Sequence, residues 1–70
     1  MKRICTLKKT FNDGWEVVIE FVNIGPNKNR EVVREKDYYG KTDVSIYNNL
    51  DDQKIQKDIE FYKKAGYKDF

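Results

Sequence analysis

Trp15-Glu16-Val17-Val18-Ile19-Glu20-Phe21-Val22-Asn23-Ile24 alternates along its length. Trp15, Val17, Ile19 and Phe21 fall on one side, and Glu16, Val18, Glu20 and Val22 on the other. Successive side chains of an extended chain point to opposite faces, so this period of two reads as a strand with a strongly apolar odd face. The rest of the fold is built outward from it.

Upstream, Ile4 to Phe11 reads as a second strand, with Asn12-Asp13-Gly14 supplying the turn. A slip of one residue carries every side chain to the wrong face, so the loop length follows from matching faces. A three-residue loop with Gly14 in the left-handed conformation sets Phe11 beside Trp15, Leu7 beside Ile19 and Cys5 beside Phe21. A two-residue Asp13-Gly14 loop instead sets Leu7 against Glu20 and Phe11 against Glu16. The three-residue loop is therefore preferred, and its one misfit is Lys9, opposite Val17.

Downstream, Gly25-Pro26-Asn27-Lys28-Asn29 reads as a loop. Arg30 to Lys36 holds Val32 and Val33 among charges and reads as a third strand, solvated on one face. Asp37 to Thr42, containing Tyr38-Tyr39-Gly40, reads as a turn. Val44 to Tyr47 fits a short fourth strand and the approach to a helix equally well.

The C-terminal segment carries helix signals. Asn49 is placed to cap, with Asp52 at the third helical position, and Asp51 and Asp52 suit the positive end of the helix dipole. Ile55, Ile59 and Tyr62 recur at i, i+4 and i+7 as a buried stripe. Lys63 and Lys64 fall in the last turn, and Gly66 suits the left-handed position beyond it, which folds Tyr67 back onto Tyr62 or Phe61. Phe61 lies about 100° round the helix from the stripe, where it flanks the core or faces a partner. The pattern predicts one α+β domain over residues 1–70: an antiparallel three- or four-stranded β-meander packed on one C-terminal α-helix.

Seventy residues is the small end of independently folding chains, where a disulfide, a metal or a partner commonly adds stability. One cysteine and no histidine exclude an intramolecular disulfide and a conventional zinc site, and no cofactor is expected. Oligomerisation or partner binding is the staple left. Fourteen basic residues nearly balance twelve acidic ones, for a net charge of +2, whereas a dedicated nucleic-acid binder usually carries a larger, clustered excess. Met1-Lys2-Arg3 is not followed by the apolar run of a signal peptide, and no stretch approaches the ~20 apolar residues of a membrane span. With a free cysteine, this predicts a protein of the reducing cytoplasm. Abundant Lys, Asn, Ile and Tyr suit an AT-rich bacterial or phage genome.

Catalytic groups are scarce. Without histidine, Cys5 and Ser45 lack the usual activating base, and Cys5 on the apolar face reads as a small buried hydrophobe. Glu16 and Glu20 share a strand face but stand roughly 13 Å apart, too far for a glycosidase pair, and read as solvent-facing partners of Lys8. Gly40-Lys41-Thr42 mimics the end of a phosphate-binding loop, but Glu35 occupies the position where that motif needs glycine. The chain is not expected to be an enzyme.

Two constellations point to binding. Lys8 and Lys9, with Arg30 and Arg34 on the third strand and Tyr38 and Tyr39 beyond it, offer cations and rings for phosphates and bases, diluted by Glu16, Glu20, Glu31 and Glu35. Tyr38, Tyr39 and Phe61 are residue types that anchor protein interfaces. The order of three strands then a helix, with Asp13-Gly14-Trp15 opening a strand, is similar in outline to the small DNA-binding domains at the N-termini of phage-type integrases. That resemblance implies a three-stranded sheet entering the major groove, and Lys41 to Asn49 has no counterpart in it. The leading expectation is a non-catalytic binding protein that occludes or bridges a macromolecular partner, alone or as a homo-oligomer, of the kind phages and bacteria use as inhibitors or accessories. The alternative is nucleic-acid or nucleotide binding on the basic, tyrosine-containing sheet face.

Overall fold

The computed structural model describes residues 1–70 as six elements. They are β1 (Lys2–Thr10), β2 (Glu16–Gly25), β3 (Lys28–Lys36), β4 (Thr42–Leu50), α1 (Asp52–Lys64) and β5 (Lys68–Asp69). The strands form one antiparallel sheet in the order β4-β3-β2-β1-β5, with α1 on one face. The meander-plus-helix expectation holds, and the short β5 is an addition to it.

Face matching gave the observed register of the first hairpin. Leu7 pairs with Ile19 and Cys5 with Phe21, and Lys9 stands opposite Val17. Gly14 takes φ +86, Phe11 N–H donates to the Trp15 carbonyl at 2.7 Å, and the Asp13 carboxylate accepts from Trp15 N–H. The odd face of β2 then builds the core: Leu7, Val17, Ile19 and Phe21 pack against Ile55 and Ile59 of α1, with Tyr62 and Tyr67 at the margin.

Three boundaries differ from expectation. The stretch from Gly25 to Asn29 is not an open loop. Gly25 pairs with Lys28, leaving Pro26 and Asn27 as a tight turn. Proline presets the first turn position and Asn27 accepts φ +52 at the second. Second, β4 is a full strand of nine residues, paired with β3 from Thr42 to Leu50.

Third, Asn49 does not cap the helix. Because β4 continues to Leu50, Asn49 lies inside the strand with φ +61, and the helix begins two residues later. Asp51 is the cap: its carboxylate accepts from Lys54 N–H at 2.7 Å. At the other end the expected stop forms. Gly66 takes φ +98, Gly66 N–H donates to the Lys63 carbonyl, and Tyr67 N–H donates to the Tyr62 carbonyl. That double bond pattern folds Tyr67 onto Tyr62, with ring centroids 5.0 Å apart.

A network of asparagines fixes how the helix leaves the sheet. Asn29, 1% exposed, donates to the Leu50 carbonyl at 3.0 Å and to the Asp52 carboxylate at 2.8 Å, and accepts from Asn23. Asn27 accepts from Asp52 N–H at 2.9 Å. The β2–β3 turn thereby grips the first turn of α1.

Candidate functional site

One helix, about 10 Å wide, covers two or three strands spaced ~4.8 Å apart. Here its buried side chains pack on β1 and β2, its backbone comes nearest to β3, and β4 extends beyond it. Every residue of β4 except Leu50 is exposed. The strand is also an edge. The Asp37 N–H bonds to the Lys41 carbonyl, and alternation along the ladder then turns the backbone N–H and C=O of Thr42, Val44 and Ile46 away from β3. The opposite edge is blunted by β5, which pairs at Leu7 and Lys8 and whose neighbour Phe70 donates to the Thr6 carbonyl.

Six of the eleven exposed large hydrophobic side chains lie at the β4 end of the molecule. Val44 and Ile46 lie on the open sheet face, with Ile46 56% exposed, and Tyr47 lies on the helix face near Phe61, 65% exposed on α1. Tyr38 and Tyr39 stand at the tip of the β3–β4 hairpin, edge to face at 5.2 Å, both well exposed. The Asp37 carboxylate accepts from Tyr39 and Lys41 N–H, and Gly40 takes φ +84, which fixes the tip. Phe61 does flank the core ring, packing edge-on to Tyr62 at 5.4 Å, while its outer surface stays bare.

Between α1 and β3–β4 runs a groove of about 600 Å³. Its floor is Glu31, Val33 and Glu35 of β3, its outer wall Ser45 and Tyr47 of β4, and its inner wall Lys54, Asp58, Phe61 and Tyr62 of α1. Asp43 stands directly across from Glu35, two like charges side by side. Lys54 is the groove's one cation and is engaged by Asp58 at 2.8 Å.

Glu31 is the unusual member. It is 5% exposed, and its Oε1 is sealed from solvent with no hydrogen-bond donor. Leaving a buried acceptor unmet costs on the order of 1–3 kcal/mol. Burial first, and a hydrogen bond shared with the Asp58 carboxyl second, push the Glu31 pKa from 4.5 up to about 7. Burial, followed by the charges of Glu31 and Asp58, also raises the Tyr62 phenol.

The basic constellation expected from the sequence is divided by the fold. Arg30, Arg34 and Lys8 lie on the open sheet face, Arg30 opposite Val22 and Arg34 and Lys8 on either side of Val18. There Lys8 meets Glu16 at 3.7 Å and the Phe70 ring at 4.7 Å, while Arg30 donates to Asn48 at 2.7 Å. Lys9 is on the other side: its Nζ donates to the Ala65 carbonyl at the helix C-terminus and sits over the Phe11 ring. Tyr38 and Tyr39 belong to the hairpin tip, and Phe61 to the helix. The seven residues do not form one surface.

The acids are divided too. Glu16 and Glu20 share the open face, but Glu31 and Glu35 point to the helix side. The open face of β3 is thus more basic, and its covered face more acidic, than the interleaved sequence implies. No group of three or more acids or cysteines is placed to hold a metal ion. No helix is long and apolar enough to cross a membrane.

No protein-family model matches the chain, and no characterised protein or solved structure does either. The integrase-like outline therefore rests on element order alone. The site has to be read from its own chemistry, and two of its members, Glu31 and Ser45, carry no mark of function in the sequence. In the sequence Glu31 reads as one of the acids of the solvated face; its alternation with Val33 is the one signal that could have placed it inward.

Proposed function

We propose that the chain is a non-catalytic binding module that recruits an extended segment of a partner protein onto the outer edge of β4. The observation that carries this reading is β4 itself: nine residues, exposed on both faces, with an unpaired edge flanked by Val44, Ile46, Tyr47 and Phe61. Natural edge strands of this length are usually shortened, charged or covered. A strand laid beside β4 gains main-chain hydrogen bonds and apolar cover together.

A second copy is the poorer occupant. Two β4 edges related by a twofold axis bring their helix-side faces together, and those faces carry Asp43, Glu35 and Glu31. Like charges would then line the seam. A foreign segment has no such constraint.

Proline at Val44 removes an outward N–H without touching the β3 ladder, which makes it a clean test. Wild type and Val44→Pro, matched by circular dichroism, are used as bait in nuclease-treated lysate, with mass measured by light scattering. The expected outcome is a specific protein retained by wild type and lost by the variant, with both baits monomeric. A partner held equally by Val44→Pro, or a dimer that the variant dissolves, overturns the proposal.

The open face supports a second reading. With Glu31 turned away, Arg3, Arg34 and Lys36 line an open-face cleft with Glu16, Glu20 and Glu35 as its acids, and Arg30 lies farther along the same face. Oligonucleotide binding that weakens steeply with salt and is abolished by Arg30→Glu with Arg34→Glu would favour nucleic acid instead.

A further inference from the structure

Strand addition at β4 accounts for the edge and for the apolar side chains around it, but not for Glu31. Glu31 has a second acid, Asp58, as its hydrogen-bond partner, and its Oε1 meets no donor. A buried carboxyl paired only with another carboxyl, on the floor of a groove that opens beside the docking strand, is relieved when a cationic donor parts that pair. We propose that the groove between α1 and β3–β4 receives an arginine side chain carried by the segment that docks on β4, with Glu31 as its carboxylate end and the Tyr62 and Phe61 rings as its wall. This rests on the strand-addition reading and gives the partner a chemical signature.

Charge argues for a cation. Facing Glu31 are Asp58, Lys54 and Tyr62 from α1 and Tyr47 from β4, with Glu35 beside it on β3 and Asp43 beyond. Lys54 is already engaged by Asp58, so Glu31, Glu35 and Asp43 are left without a basic partner in the groove. Geometry argues for arginine over lysine. A planar guanidinium donates a fork of N–H groups to a carboxylate while its face stacks on aromatic rings, and an ammonium does only the first, as a point charge.

Reach is satisfied at Ser45. A strand added beyond β4 stands two strand spacings, ~9.6 Å, from β3. Tyr47 blocks part of that span, but Ser45, opposite Val33, is the small residue in the outer wall and leaves a gap over which a long side chain passes toward the Glu31 carboxyl. Because the bound cation favours the ionised carboxyl, affinity rises as pH increases through about 7, where the empty groove still holds a proton on Glu31.

A random nine-residue peptide library, displayed on phage, separates this inference from the one beneath it. Selection on wild type is expected to enrich arginine at one fixed position among alternating β-branched residues. Glu31→Gln is expected to retain strand binders but lose the arginine preference, and Val44→Pro to lose both. Replacing the selected arginine by citrulline, which keeps the shape and removes the charge, should weaken binding at least tenfold on wild type and little on Glu31→Gln. Peptides selected without a fixed basic position, or an arginine preference that survives Glu31→Gln, overturn the groove assignment and leave strand docking standing. A library that yields no wild-type binder dependent on Val44 overturns both.

Discussion

A carboxyl sealed beneath a helix is more easily held neutral than ionised, and at the scale of single residues Glu31 shows the consequence for stability. Its pKa is raised from 4.5 to about 7, so between those values the folded chain keeps a proton that the unfolded chain has released. Stability therefore falls as pH rises across that interval, by at most about 3 kcal/mol once both states are ionised. Glu31→Gln preserves the shape and removes the titration. In thermal melts followed by circular dichroism, the Tm difference should widen in the variant's favour from pH 5 to pH 8.5; parallel profiles would show that Glu31 ionises freely in the fold. From the sequence this residue reads as one of the acids diluting a basic, solvated face, because a charged side chain reads as solvated until a helix is known to lie over it. Lys9 is the converse case. Its position opposite Val17 was legible and looked like an error of pattern, because nothing local reveals that the helix ends above it and offers the Ala65 carbonyl to its Nζ.

Between elements, the weight falls on the asparagines that tie the β2–β3 turn to the start of α1. Asn29→Ala orphans the Leu50 carbonyl and frees Asp52 and Asn23 at once, in a site that is 1% exposed. Its expected cost is about 2–3 kcal/mol, against about 1 kcal/mol for Asp51→Ala, which loses one exposed cap. Urea midpoints of the two variants test the order, and an Asp51 effect equal to or larger than the Asn29 effect would show that the network is dispensable. The same comparison explains why β4 and the helix start were hard to read. The two hairpins share one turn, with glycine as the third loop residue at φ +86 and φ +84. In the first, apolar residues meet across the strands and the register is forced. In the second, Val32 meets Ile46 on the open face, but Val33 meets Ser45 and Glu35 meets Asp43 on the other, so face matching is weak and β4 looks no more like a strand than like an approach to a helix. Without β4, the helix start slides back to Asn49.

At the scale of the whole molecule, a single 13-residue helix is too narrow for the sheet beneath it. The chain is drawn out to 39 × 23 × 15 Å and exposes 5126 Å², where a monomer of this mass typically exposes about 4600 Å². The excess of about 500 Å² approaches the ~800 Å² that one partner contributes to a standard interface. Burial is correspondingly uneven: the core belongs to β1, β2 and α1, and β4 contributes only the half-buried Leu50 at its margin. Local stability should follow that gradient, because segments with few buried contacts open without global unfolding. In amide hydrogen exchange on the free protein, Leu7, Ile19 and Phe21 are expected to exchange slowest. Thr42, Val44 and Ile46, whose N–H groups face outward, should exchange fastest among the strand residues. Docking of a segment on β4 should slow those three amides selectively and leave the open-face residues Arg30 and Arg34 unchanged. If the three are already protected in the free protein at a concentration where it is monomeric, the edge is closed by the chain itself and is not available to a partner. If they are protected only as concentration rises, the occupant is a second copy, and the acidic seam at Asp43, Glu35 and Glu31 predicts that this association strengthens with added salt.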